Sequence, residues 1–130
     1  MRLRALALTL AVPAALALTA CSEEEGSVSD GAASAATADT AVTVTATDDA
    51  CQLSATSAAP GSVAFTVTNS GTKVNEFYLY EGDKVRGEVE DIGPGLTRTL
   101  VVKDLAAGTY TSACKPGMSG EGIRADFTVG

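Results

Sequence analysis

Residues 41–130 consist of short runs in which apolar or β-branched residues alternate with polar ones. Val63, Phe65 and Val67 show the pattern most clearly, because a two-residue period puts their side chains on one face of a strand. Turn residues such as Asn69-Ser70-Gly71 interrupt the runs about every eight to twelve positions. No stretch of about ten residues in this region shows helical periodicity with caps. The pattern therefore predicts an all-β domain.

Eight strands are predicted from the alternation and the turn residues between the runs. They are residues 41–46, 51–57, 63–68, 75–80, 85–89, 97–102, 109–114 and 123–129. On the fourth strand, Phe77 and Leu79 are expected to face the core. The residues expected to face outwards are Glu76, Tyr78 and Tyr80. Seven or eight short strands in a region of this length are typical of an antiparallel β-sandwich or a Greek-key barrel.

The first twenty residues have the layout of a secretory signal, with a positive start (Arg2 and Arg4), an apolar run and small residues before a cysteine. Leu18-Thr19-Ala20-Cys21 resembles the lipobox of bacterial lipoproteins. We therefore expect cleavage before Cys21, lipid on its thiol, and attachment to the cell membrane on the extracytoplasmic side. The apolar run is shorter than the ~20 residues of a membrane-spanning helix. A plain secreted protein with a chance cysteine is the alternative.

Residues 21–40 are expected to be a flexible acidic linker, since they contain too little apolar surface to offset the entropy of ordering. The predicted organisation is a signal peptide over 1–20, the lipidated cysteine and linker over 21–40, and one domain over 41–130. The domain has no basic cluster, which argues against nucleic-acid binding. The chain has no histidine, which excludes catalytic triads and metal sites that need imidazole.

Cys51 and Cys114 remain as a pair once Cys21 is assigned to lipid. Outside the cytoplasm such a pair usually forms a disulfide. It would close a loop of about sixty residues and stabilise the fold by about 4 kcal/mol. The alternative is that one or both thiolates bind a soft metal ion. The residues by themselves leave both alternatives open.

Two further residues are candidate metal ligands. Met118 follows Cys114 by four residues in a polar loop rich in Gly and Pro, where no core pattern requires it. A cysteine and a thioether on one short loop suit Cu(I) or another soft ion. The carboxylate of Glu76 is most simply a solvated group. If its face of the strand borders the Cys114 loop, it would add an oxygen ligand suited to iron or oxidised copper.

The region 42–129 resembles the cupredoxin-like domain of EfeO-type proteins, the extracytoplasmic component of a bacterial ferrous-iron uptake system. The matching segments are Cys51, 74–80, 87–95, 107–110 and 114–122. The resemblance implies a cupredoxin-like Greek-key β-sandwich that binds a copper or iron ion. The ligands that it implies are Cys51, Glu76, Cys114 and Met118. Asn75 stands where cupredoxins have their first histidine, and a blue-copper centre needs two imidazoles and a thiolate, so that centre is excluded.

The resemblance also implies a role in iron uptake at the cell membrane. A lipid-anchored domain would pass its ion, or an electron, to an iron permease or an imelysin-like lipoprotein. EfeO-type relatives continue into a larger imelysin-like domain, which is not found in this sequence up to Gly130. An enzymatic role is not expected, because without histidine only redox cycling of a bound metal, such as ferrous oxidation at copper, is available. The alternative function is a disulfide-closed sandwich that binds a partner protein through its exposed strands and a Tyr78/Tyr80 face.

Overall fold

The structure is a computed structural model, and it describes residues 38–130. The predicted signal peptide, Cys21 and nearly all of the predicted linker lie outside the described residues. Within residues 38–130, no helix is long and apolar enough to cross a membrane. The described strands are β1 (Thr40–Ala46), β2 (Cys51–Leu53), β3 (Ser57–Ala58), β4 (Gly61–Asn69), β5 (Asn75–Glu81), β6 (Lys84–Ile92), β7 (Thr97–Leu105), β8 (Gly108–Cys114) and β9 (Ile123–Val129).

The strands form two sheets that pack face to face. One sheet has four strands in the order β2-β1-β4-β7, and the other has five in the order β3-β9-β8-β5-β6. The pairs β1–β4 and β3–β9 are parallel. The other paired strands are antiparallel. The predicted all-β sandwich is confirmed.

The strand predicted over 51–57 is wrong in one respect, because the structure divides it between the two sheets. β2 pairs with β1, and β3 pairs with β9. Between them the Ser54 hydroxyl accepts a hydrogen bond of 2.9 Å from the amide of Thr43, and this contact ends the β1–β2 ladder. β6 and β7 are also longer than predicted, since pairing with β5 and β4 continues beyond the local alternation.

The core lies between the two sheets and is centred on three phenylalanines. The ring centroid of Phe65 lies 5.2 Å from those of Phe77 and Phe127. All three side chains are fully buried, as is Leu79. The predicted inward face of β5 is therefore confirmed, and Phe65 connects the four-stranded sheet to the five-stranded one.

The two ends of the sandwich carry different features. β1 begins at Thr40 and finishes at Ala46, which pairs with Cys51. β8 finishes at Cys114, so the two cysteines lie at the end opposite to Thr40. We call this the disulfide end, and its loops are residues 47–50, 70–74, 93–96 and 115–122. The chain therefore enters the domain at the end that is farthest from both cysteines.

Candidate metal centre

Cys51 and Cys114 form a disulfide, with a sulfur–sulfur distance of 2.01 Å and Cα atoms 5.6 Å apart. The bond joins β2 of one sheet to β8 of the other. Cys114 is fully buried, whereas Cys51 is partly exposed. Of the two alternatives left open by the sequence, the structure therefore shows the disulfide. In this oxidised state neither sulfur is a thiolate, the form that binds metal ions.

Met118 lies in the loop that follows Cys114, and its side chain is 45% exposed. Its backbone has a φ of 54°, in the left-handed region that methionine seldom adopts. The amide of Gly117 donates to the Val74 carbonyl at 2.7 Å, and the amide of Met118 donates to the Lys115 carbonyl at 3.0 Å. The first bond holds the loop against the residue before β5, and the second closes a turn within the loop. The expectation that Met118 is not a core residue is confirmed.

Glu76 lies on β5, next to the start of the Cys114 loop. The amide of Lys115 donates to the Glu76 carbonyl at 2.9 Å, so this loop borders the strand. The Glu76 carboxylate faces outwards, and one of its oxygens lies 3.2 Å from the Tyr78 hydroxyl. The structure therefore brings the strand and the loop together, as the ligand hypothesis required, but the Glu76 carboxylate lies on the outer face of the sheet, whereas Cys114 faces the core.

Tyr78 and Tyr80 form a stacked pair on the outer face of the five-stranded sheet, with centroids 5.5 Å apart and planes inclined by 11°. The Lys115 ammonium lies 4.3 Å from the centroid of Tyr78, and the Arg124 guanidinium lies 4.8 Å from that of Tyr80. The tyrosines face outwards as predicted, but they are only 8% and 9% exposed. The expectation of an exposed tyrosine face is therefore wrong, because the two cationic side chains cover it.

The hydroxyl of Tyr78 lies between two carboxylates. It donates to Glu90 at 2.9 Å, and it is 3.2 Å from Glu76. Burial, followed by the hydrogen bond to Glu90, raises the pKa of Tyr78 well above its ordinary value. The sequence placed Glu76 and Tyr78 on one face, but Glu90 was missed because it comes from the neighbouring strand β6.

Because its pKa is raised, Tyr78 should lose its proton at a higher pH than an ordinary tyrosine. The unfolded chain loses this proton near pH ~10, whereas the folded chain retains it to higher pH. The stabilisation from this group is therefore complete below about pH 10 and is lost as the pH rises towards the folded pKa. A near-ultraviolet absorbance titration should show this ionisation as a separate step at high pH, and Tyr78→Phe should remove that step. Glu90→Gln should move this step to lower pH. A high-pH step that remains unchanged in Tyr78→Phe would contradict its assignment to Tyr78.

Asn69 organises the loops of the disulfide end from inside the protein. Its side-chain amide donates to the carbonyls of Lys73 and Ile92, each at 2.7 Å. Its side-chain oxygen accepts a 2.9 Å hydrogen bond from the amide of Gly71. Asn69 is fully buried, so these bonds satisfy a polar group that would otherwise be costly. From the sequence, Asn69 could be recognised only as a turn residue, because its partners come from separate strands and loops.

Asp48 ties loop 47–50 to loop 70–74 at the same end. One carboxylate oxygen accepts hydrogen bonds from the amides of Thr72 (2.9 Å) and Lys73 (3.1 Å). The other accepts the Thr72 hydroxyl at 2.6 Å. The Thr72 hydroxyl, followed by the backbone amides, lowers the pKa of Asp48. An aspartate in a turn is a known signal for such side-chain-to-backbone bonds, although the loop that it reaches cannot be read from the sequence.

The donor chemistry of this end determines which metal fits. Among residues 38–130, no group of three Cys, Asp or Glu side chains is placed to hold a metal ion. The chain has no histidine, so a blue-copper centre does not fit. Reduction of the disulfide would provide two thiolates at the end of the sandwich that also carries the Met118 thioether, while the Glu76 carboxylate lies on the outer face of β5. That donor set fits a soft ion such as Cu(I), provided that the cysteines are reduced.

The fold and the site define a class: a small two-sheet β-sandwich, closed by a disulfide at one end, with sulfur donors but no imidazole. The chain belongs to the cupredoxin-like domain family, whose family model matches residues 8–129. The cupredoxin-like fold expected from the sequence is therefore confirmed. The comparison with curated proteins gave no significant match.

Among the solved structures that are similar to this chain are two of auracyanins. Auracyanin B has 19% sequence identity and a TM-score of 0.58, with 72% of this chain and 91% of that chain covered. Dithionite-reduced auracyanin from the photosynthetic bacterium Roseiflexus castenholzii has 15% identity and a TM-score of 0.53, with 70% and 96% covered. At these identities the likeness shows the fold alone.

Proposed function

We propose that this chain is an extracytoplasmic metal-binding protein, anchored to the membrane through lipid on Cys21, that captures copper, or alternatively iron, at its disulfide end. The candidate ligands are Cys51, Glu76, Cys114 and Met118. The observation that carries the proposal is that all four lie at one end of a cupredoxin-like sandwich. Copper is favoured over iron because three of the four donors would be sulfur.

The position of the candidate site supports a delivery role. The chain enters the domain at Thr40, at the opposite end from both cysteines. An anchor that precedes Thr40 leaves the disulfide end free to approach another protein. The partner that the resemblance to EfeO-type proteins implies is an iron permease or an imelysin-like lipoprotein. Proteins with a cupredoxin-like fold usually transfer electrons and are not typically enzymes. We therefore propose that this chain binds a metal ion and does not catalyse a reaction.

A titration of the full chain with Cu(I), Cu(II) and Fe(III) tests the proposal. After reduction with a dithiol, the chain should bind one Cu(I) ion, and Met118→Leu should weaken binding by about tenfold or more. Glu76→Gln should weaken Cu(II) or Fe(III) binding, whereas Glu88→Gln, a matched change at an exposed position of β6, should not. The proposal fails if no ion binds in a one-to-one ratio, or if both test variants bind like the unaltered chain.

A second candidate function is protein binding without a metal ion. The observations that favour it are the formed disulfide and two exposed apolar side chains at the disulfide end, Leu96 (51% exposed) and Met118 (45%). The covered tyrosine pair does not contribute to it. Intact-mass measurement separates the two functions, because a disulfide that persists under a mild dithiol leaves only Glu76 and Met118 as ligands.

A further inference from the structure

Tyr78 differs from the other tyrosines in the group that its hydroxyl meets. Within residues 38–130, it is the tyrosine whose hydroxyl donates to a carboxylate, that of Glu90, at 2.9 Å. The hydroxyl of Tyr110 instead donates to the backbone carbonyl of Ala106 at 2.8 Å. A carboxylate is a base at neutral pH and can take up a proton, whereas a backbone carbonyl cannot. Tyr78 therefore has a proton acceptor in place, and Tyr110 does not.

The ring of Tyr78 is covered but lies close to the surface. It stacks on the ring of Tyr80, and the Lys115 ammonium lies 4.3 Å from its centroid. Because Lys115 is itself partly exposed, this cover is thin, and an electron can cross it to an oxidant at the surface. The same cover keeps the ring from meeting a tyrosine of a second chain, which is how oxidised tyrosines couple.

The charges around the tyrosine pair are balanced in sign. The carboxylates of Glu76 and Glu90 lie within 3.2 Å of the Tyr78 hydroxyl and favour the loss of an electron from its ring. The Lys115 ammonium and the Arg124 guanidinium lie over the two rings and oppose that loss. With two charges of each sign, the local field does not prevent oxidation, and the path of the proton becomes decisive.

Oxidation of Tyr78 has to move a proton as well as an electron. Burial and the hydrogen bond to Glu90 raise the pKa of Tyr78, so its hydroxyl is protonated at neutral pH. A phenol that lost only an electron would become a strong acid, so the proton leaves in the same step. Glu90 already accepts the hydrogen bond along which that proton would travel. A base held in position accelerates such a transfer by roughly 10²–10⁴-fold.

We propose that Tyr78 is a redox-active residue that reduces organic peroxyl radicals, with Glu90 as its proton acceptor. One electron passes from the Tyr78 ring to the peroxyl radical, and the hydroxyl proton passes to Glu90. The resulting peroxide anion takes up a proton from water and becomes a hydroperoxide, and the exposed Glu90 returns its proton to water. Tyr78 is left as a neutral phenoxyl radical. This inference goes beyond the proposed function, because it needs no metal ion.

Pulse radiolysis of the full chain in detergent tests the proposal, with trichloromethylperoxyl radicals as the oxidant and phenoxyl absorbance as the readout. Tyr78→Phe should remove most of the phenoxyl signal, whereas Tyr110→Phe should leave it unchanged. Glu90→Gln should slow phenoxyl formation by about tenfold or more. Glu88→Gln is the matched control, because Glu88 is exposed on the same strand and is the register partner of Tyr78. Heavy water should slow the reaction of the unaltered chain.

Two results would overturn the proposal. A phenoxyl yield in Tyr78→Phe equal to that of the unaltered chain would show that another residue is oxidised. Since Glu76 also lies 3.2 Å from the hydroxyl, the double variant Glu76→Gln with Glu90→Gln removes both carboxylate acceptors. An undiminished rate in that variant, with no effect of heavy water, would show that no carboxylate takes the proton. Thermal unfolding of each variant checks that the chain remains folded.

Discussion

Replacing both domain cysteines, Cys51→Ala with Cys114→Ala, should lower the free energy of unfolding by about 4 kcal/mol. The bond closes a loop whose ends are 63 residues apart, and its loss returns conformational entropy to the unfolded chain. It is also a covalent cross-link between the two sheets, in addition to the backbone connections. For a domain with a stability of roughly 5–15 kcal/mol, such a loss is a large fraction of the total.

Equilibrium unfolding in urea measures this change. The urea m-value should also rise, because an unfolded chain without the cross-link exposes more surface. Cys21→Ser is the matched control, since that cysteine lies outside the closed loop, and it should leave both quantities unchanged. A loss below about 1 kcal/mol in the double variant would mean that the pair is not bonded in solution.

Phe65→Ala should lower the free energy of unfolding by about 3–5 kcal/mol. Phe65 is fully buried, and its ring lies 5.2 Å from both Phe77 and Phe127, so truncation opens a cavity between the two sheets. The backbone of β4 is held on both sides by β1 and β7, which limits how far the cavity can collapse. Urea unfolding of the variant gives the value directly.

Leu96→Ala is the matched control for this prediction. It truncates a large apolar side chain that is 51% exposed, so its effect should stay within about 0.5 kcal/mol. If Phe65→Ala prevents folding altogether, Phe65→Leu leaves a smaller cavity, and its smaller loss of stability can still be measured by urea unfolding. Similar losses for Phe65→Ala and Leu96→Ala would contradict the position of Phe65 at the centre of the core.

On β5, the direction of each side chain follows from the sequence, whereas its exposure does not. Alternation placed Phe77 and Leu79 in the core and Glu76 on the outer face, and the structure confirms this. The same alternation could not show that Tyr78 and Tyr80 are covered. Lys115 and Arg124 cover them, and both lie more than thirty residues farther along the chain. The direction of a side chain is a local property, whereas its exposure depends on what packs over it.

The candidate site shows the same division. Cys51, Cys114 and Met118 could be singled out by residue type and spacing, and Glu76 by its place on the outer face of a strand; the family resemblance then implied all four. Whether the cysteines are free or bonded depends on where β2 and β8 meet, which follows from the order of strands in two separate sheets. The contact between Tyr78 and Glu90 likewise depends on the pairing of β5 with β6.

The sequence by itself determined the all-β class, the inward faces of the strands and the cupredoxin-like family, because a two-residue period and the order of motifs are properties of neighbouring residues. Only the tertiary structure decided that residues 51–57 divide between two sheets, that the two domain cysteines are bonded, and that a cationic layer covers the tyrosines. Each of these depends on contacts between distant parts of the chain. Such contacts form when the two sheets pack, and no local pattern of residues encodes them.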